Sequence, residues 1–189
     1  MAGKVQLPCH RITRRTWLRT TLATDVAWKW GEKTTLAAEK GERVKWRGIS
    51  PGEVRDILEK DIEIGQYFVT GKLTQEIFED NCRFVDPTND VVGLKRYLSA
   101  LNILFDPLNS SVNLLGIQLI DDSTIVADYE AQGVLQLPWR PLVKPYRGHI
   151  VYNLNKDGLV QKQEQTWDIS ALDALLETFT PGPRMESRS

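Results

Sequence analysis

The periodicity of the chain changes once, near Ser111, and that change limits the fold more than any other feature. Before it, apolar residues recur at helical spacing; after it, they alternate with a period of two, the spacing of one face of a strand. Ser50-Pro51-Gly52-Glu53 opens a first helix, with Ser50 as cap, Pro51 at the first helical position and Glu53 three residues after the cap. Val54, Ile57, Leu58, Ile62 and Ile64 then form one stripe, which predicts a helix to about Gln66. The pattern predicts a second helix over 74–81, with Thr74 as cap and Ile77 and Phe78 inward. A short strand over 82–85 should stop at Asp86-Pro87, because proline restricts the residue before it. A third helix over 91–105 would place Leu94, Tyr97, Leu98, Leu101 and Leu104 on one side.

After Ser111 the alternating runs read as two hairpins. One joins 112–120 to 124–137 through Asp121-Asp122-Ser123, and the other joins 145–154 to 159–167 through Asn155-Lys156-Asp157-Gly158. Between them, Leu137-Pro138-Trp139-Arg140-Pro141 must be a bend or an edge, since proline cannot donate into the middle of a sheet. Pairing Leu154 with Leu159 places Tyr146 opposite Trp167 and makes the open end of the second hairpin aromatic. Ser170 caps a short last helix to about Phe179, with Asp173 at its third position, and Pro181-Gly182-Pro183 stops it. The plan is α+β: three N-terminal helices packed on a strongly curved antiparallel sheet of about four to six strands, then a short C-terminal helix. A sheet wrapped around a helix is cone-shaped and offers a pocket between the two.

The 189 residues, 41% hydrophobic and 26% charged, suit one ordinary core with an appendage. We divide them into a basic leader over 1–48, a folded domain over 49–180 and a disordered tail over 181–189. Residues 1–47 carry 11 Lys and Arg against 4 Asp and Glu, leaving 13 against 21 for the remainder. The first thirty residues are rich in Arg and Thr and hold one acid, Asp25, a composition found in organelle transit peptides. Arg14-Arg15-Thr16-Trp17-Leu18 also resembles a twin-arginine export signal, but Asp25 and Lys29 interrupt the apolar segment that should follow. A plain basic disordered tail is the remaining alternative. Trp28, Trp30 and Trp46 are assigned to packing on the body. The net charge of −1 gives no reason to expect nucleic acid as a partner. Cys9 and Cys82 do not make a disulfide framework or a metal site, and Cys82 reads as a small core residue. No apolar run approaches the ~18 residues of a transmembrane helix, so no transmembrane segment is expected.

Phe84-Val85-Asp86-Pro87 followed by Gly93 and Tyr97, then 137–141, then Tyr146-Arg147-Gly148-His149-Ile150-Val151-Tyr152 and Trp167-Asp168, resembles a known family. It is a plant and cyanobacterial family of undefined function within the nuclear transport factor 2-like (SnoaL-like) superfamily, and the likeness spans roughly 51–178. A similar module is found joined to SOUL-type haem-binding domains in plastid proteins. The resemblance implies the cone-shaped fold and a chloroplast or plastid address, the cytoplasm being the alternative. It implies no particular activity.

No phosphate-cradling loop and no paired-histidine signature is present, so neither a cofactor nor a metal is assigned. His149 and Asp86 are the weak candidates for a catalytic base; each also has a bland reading, His149 as a strand residue and Asp86 as a turn residue. Strand parity puts Gln161, Gln163, Gln165 and Trp167 on one face, and Val160, Lys162, Glu164, Thr166 and Asp168 on the other. In the family the chain resembles, the positions of Gln163 and Gln165 often hold His and an acid. Amides cannot take up a proton at neutral pH, which counts against acid–base chemistry. The chain therefore reads as a non-enzymatic small-molecule-binding or assembly module. One alternative is a SnoaL-like isomerase, dehydratase or cyclase acting on a hydrophobic metabolite; another is a domain that only forms a homodimer through its open sheet. Trp139, Tyr146 and Trp167 are assigned as walls for a hydrophobic or planar small molecule, with Arg140, Gln163 and Gln165 as its polar contacts. Against this stands the reading of Trp139 as a plug of the cone and of Arg140 as the partner of a nearby acid.

Overall fold

The computed structural model describes residues 43–180. The leader, with Cys9, Trp28, Trp30 and the twin-arginine stretch, and the tail after Thr180 lie outside the described residues, apart from 43–48. Those six residues are bonded to the body: Trp46 N donates to Glu76 O at 3.0 Å and Gly48 N to Asp157 O at 2.7 Å.

Helix α1 (Pro51–Glu63) starts as its sequence dictates, with Ser50 Oγ accepting from Glu53 N and the Glu53 carboxylate accepting from Ser50 N. It buries Val54, Leu58 and Ile62, but Ile64 is exposed, because the helix ends before it and the stripe is lost. Gln66, at φ 51°, ends the helix. Its amide nitrogen donates to Ile62 O, Glu63 O and Val112 O, while its oxygen accepts from Val112 N. One side chain thus satisfies loose helix carbonyls and ties α1 to the first long strand. A single helical turn, α2 (Tyr67–Thr70), follows and buries Tyr67, Phe68 and Val69.

The helix predicted over 74–81 does not form. One 3-10 turn, Gln75–Ile77, leads into strand β1 (Phe78–Val85). Thr74 makes no side-chain cap, and its N–H and its hydroxyl both donate to the Asp61 carboxylate at 2.8 Å. Ile77 and Phe78 still point inward. β2 (Asp90–Val92), which helical spacing had absorbed into the third helix, turns back on β1. Gly93, at φ 109°, separates it from α3 (Leu94–Leu104).

The remaining strands are β3 (Ser111–Asp121), β4 (Thr124–Val134), β5 (Leu142–Leu154) and β6 (Val160–Trp167), before α4 (Ala171–Phe179) with Ser170 as its cap. They form one six-stranded sheet in the order β2-β1-β6-β5-β4-β3. It is not wholly antiparallel: β1 and β6 run parallel, since β1 enters from the helical layer and not through a hairpin. The β5–β6 register also differs from the predicted one. An irregularity at Asn153/Leu154 pairs Leu154 with Val160 and Gly148 with Trp167, a shift of two residues along most of the hairpin. It turns Gln161 outward and brings Val160 into the core, which breaks the predicted parity at those two positions. Ile125, Ala127, Tyr129, Ile150, Tyr152 and Leu154 line the inner face against α1, and Cys82 is buried there too, with burial pushing its thiol well up. Among the described residues no helix is long and apolar enough to cross a membrane.

Asp61 supplies a test of this packing. Burial raises its carboxyl above the ordinary value, although the two Thr74 donors pull it down. A raised native pKa means that the folded chain binds the proton more tightly than the unfolded one. Ionised Asp61 therefore costs stability above its native pKa, and that cost fades as pH falls through it. Asp61→Asn keeps an acceptor and a donor for Thr74, and should gain on the wild type as pH rises through the carboxylate range. Asp61→Ala orphans Thr74 and should lose about 1–3 kcal/mol. Urea unfolding of the three proteins at about pH 4 and about pH 8 reads both effects.

Candidate functional site

All five tyrosines of the chain lie in the space between the helices and the sheet. Tyr67 comes from α2, Tyr97 from α3, Tyr129 from β4, and Tyr146 and Tyr152 from β5. Alternation puts Tyr129 on the face of Ile125 and Ala127, and Tyr146 and Tyr152 on the face of Ile150. Their rings join two aromatic rows. In one, Phe68 stacks on Tyr129 (5.1 Å between centroids), Tyr129 meets Tyr146 edge-on (6.2 Å) and Tyr146 meets Trp167 edge-on (5.7 Å). In the other, Phe78 stacks on Phe84 (6.1 Å) and Phe84 on Tyr97 (3.8 Å).

The two glutamines of β6 join the phenols into a polar network. Gln163 is 1% exposed, donates to Tyr97 Oη at 3.2 Å and accepts from Tyr67 Oη at 3.3 Å; Tyr67 and Tyr152 share a hydrogen bond of 2.8 Å. Gln165 accepts from Tyr129 Oη at 3.0 Å. Trp167 Nε1 is buried and has no partner among the described residues. Burial raises all five phenols, Tyr146 to about 12 and the other four further. The interior is therefore rich in hydroxyls that stay neutral at physiological pH. Among the described residues no cluster of His, Cys, Asp or Glu is arranged to hold a metal ion.

Of the residues assigned from sequence, the structure brings Tyr146, Gln163, Gln165 and Trp167 together. Tyr146 and Trp167 meet despite the altered register, because a shift of two residues preserves the face. Trp139 and Arg140 lie elsewhere. Trp139 is 42% exposed and its indole N–H donates to Thr178 O at 2.8 Å, while Arg140, at φ 44°, pairs with Asp106 at 2.5 Å. The bend thus clasps the end of α4 to the loop before β3. His149 sits on the outer face of the sheet, 2.8 Å from Asp128. Asp86 Oδ1 accepts from Thr88 N, Thr88 Oγ1 and Asn89 N, and so is occupied in holding its own turn.

Tyr129, Tyr146 and Trp167 pack against one another where a planar molecule was expected, and a void of about 20 Å³ is bordered by Phe84, Val85, Asp86, Asn89, Val91, Tyr97 and Gln165. A drug-sized ligand needs ~300–1,000 Å³, whereas one water needs only ~10–15 Å³. An open depression of about 430 Å³ lies on the far side, among Arg83, Ser123, Asn153 and Lys162. That outer face carries Arg83–Asp90, Lys162–Glu164, Arg147–Glu130 and His149–Asp128, charges paired within the chain. Sequence reasoning missed Tyr67, Tyr129 and Tyr152 as part of this site, and it read Tyr97 as a stripe residue and a mark of the family resemblance, not as a site residue. For Tyr129 and Tyr152 the signal was their parity with buried isoleucines.

A curved sheet wrapped on helices is the cone of the nuclear transport factor 2-like class. The solved structure of a SnoaL-like polyketide cyclase from Jannaschia Sp. CCS1 shares that fold, with a TM-score of 0.54 at 16% identity, over 76% of this chain and 100% of that one. An LEH-like epoxide hydrolase from M. tuberculosis is similar at 13% identity, TM-score 0.47, over 69% of this chain and 98% of that one. Within this class, residues 52–163 match the profile of the family described as "Uncharacterized conserved protein (DUF2358)", and the chain belongs to that family. No curated protein matches the chain in sequence.

Gly148 shows how closely the rings are seated. It pairs with Tyr129 across β4 and β5, and a methyl group there would overlap the Tyr129 phenol. Gly148→Ala should cost about 1–3 kcal/mol and weaken the near-ultraviolet dichroism of the aromatic row. Gly116→Ala, which meets open space, should change neither.

Proposed function

We propose that the chain is a small-molecule-binding module that performs no acid–base chemistry of its own. Apart from Asp61, a buried carboxyl that Thr74 engages, the interior network is uncharged, and that carries this reading: five phenols held above their ordinary pKa and two amides. A general acid or base works best with a pKa near the operating pH, and none of these groups has one. His149 is separated from the interior by the sheet, and the turn occupies Asp86. Hydrogen bonding to a bound molecule remains available, and the fold is one that binds small molecules.

The test begins with native mass spectrometry of the purified full chain for a copurifying molecule, followed by extraction and rebinding. Rebinding, read by tryptophan fluorescence, should have the same affinity from about pH 6 to about pH 9, since the lowest interior phenol titrates at about 12. A bell-shaped profile, or conversion of the molecule on incubation, would overturn the reading.

The address we propose is the plastid, supported by the basic, acid-poor composition of residues 1–48. A reporter carrying those residues should be imported by isolated chloroplasts and shortened on entry. Exclusion of the reporter would refute the address without touching the binding reading.

A further inference from the structure

Helix α4 is amphipathic with its sense reversed. Among its described side chains, Ala174, Glu177 and Thr178 are half-buried, while Leu172, Leu176 and Phe179 are 64%, 55% and 67% exposed. Spacings of four and three residues put those three on one stripe, where a surface helix ordinarily carries polar groups. Apolar surface of the body borders the stripe. Trp139, itself half-exposed, is fixed to the last turn of α4 by its bond to Thr178 O. Lys144 Nζ lies 3.1 Å from the Glu177 carboxylate, and Leu142, on the same strand face as Lys144, is exposed. At ~200 Å² for a large apolar side chain, these five residues leave roughly 500 Å² uncovered. A patch of that size is often functional.

The chemistry of α4 narrows the occupant. The helix carries Asp173 and Glu177 and no Lys or Arg, whereas helices that lie on anionic lipid carry the opposite charge. Both acids are engaged within the chain, Asp173 by Ser170 Oγ at 2.7 Å and Glu177 by Lys144, so neither is left to select a basic partner. The stripe is complementary to itself. In an antiparallel pair of α4 helices centred on Leu176, Leu172 lies about 6 Å to one side and Phe179 about 4.5 Å to the other. Each Leu172 therefore meets a Phe179 of the second copy. The two Asp173 carboxylates then stand about 9 Å apart along the axis, a distance at which physiological salt screens them.

We propose that α4 is a self-association surface, through which two copies of this chain pack about a two-fold axis at Leu176. This goes beyond the binding reading and does not depend on it. The stripes and their borders together bury about 1,000 Å², the least that a specific interface needs, so the dimer is reversible. Its dissociation constant should be roughly 1–100 µM.

Sedimentation velocity of the full chain, over concentrations that bracket those values, should show monomer passing into dimer. Leu176→Glu puts a carboxylate on the axis and should weaken the dimer roughly tenfold or more, with the thermal midpoint unchanged because the residue is exposed. Leu176→Met keeps an apolar side chain and should retain the dimer. In a Cys9→Ser background, Leu176→Cys should form a disulfide between copies on mild oxidation, since facing helices bring such positions within reach. Gln118→Cys, on the exposed edge strand β3, should not.

Monomer at every concentration would overturn the proposal. So would a dimer that Leu176→Glu leaves intact, or cross-linking through Gln118→Cys in place of Leu176→Cys, which would move the contact to the open sheet. Flotation with vesicles of phosphatidylcholine and phosphatidylglycerol, lost in Leu176→Glu, would assign the stripe to lipid and overturn the second copy as its occupant. The copurification experiment judges the binding reading separately.

Discussion

The hydrogen bonds of Gln163 hold the interior in one arrangement. A buried amide is costly in apolar surroundings unless both of its ends are satisfied. Here its nitrogen donates to Tyr97 on α3 and its oxygen accepts from Tyr67 on α2, whose hydroxyl also bonds Tyr152 on β5. Four elements, α2, α3, β5 and β6, are thereby fixed by directional bonds where apolar packing alone would let them slide. Burial and hydrogen bonding of the phenols reinforce each other there.

Closing a sheet around such a centre requires curvature, and the strand irregularities supply it. β3 and β4 lose register between Leu114 and Gly116 and between Ala131 and Gly133, and β5 does so between Asn153 and Leu154. Each irregularity bends its strand and increases the local twist. Gly148 permits the bend to be filled, since only a residue without a side chain can lie beneath the Tyr129 ring. The same curvature that forms the cone therefore draws the rings together.

Outside the cone, aromatic and basic residues serve the scaffold. Trp139 and Arg140 look like a ligand wall in the sequence, because an indole beside a guanidinium is well suited to planar anions. In three dimensions the pair faces Thr178 and Asp106 and joins segments far apart in the chain. His149 and Arg147 belong to a file of paired charges across the outer sheet. Chemistry-bearing residue types are thus spread over the molecule, and only placement separates those of the site from those of the frame.

The sequence by itself determined whatever depends on neighbours a few residues apart. Ser50 and Ser170 cap their helices, Asp121-Asp122-Ser123 turns the first hairpin, and alternation places Tyr146, Gln163, Gln165 and Trp167 on inward faces. Tertiary structure decided where distant groups compete. Thr74 is held by Asp61, thirteen residues earlier, which accepts from both its N–H and its hydroxyl, and 78–85 becomes a strand because β6 is there to pair with it. The β5–β6 register depends on an irregularity that no local pattern marks. How much space the cone holds is a matter of volume, which is set by rings from six separate elements, α2, α3, β1, β4, β5 and β6. Periodicity carries the direction of a side chain but not the space left between several of them, so the interior could be named from the sequence while its emptiness could not be measured there.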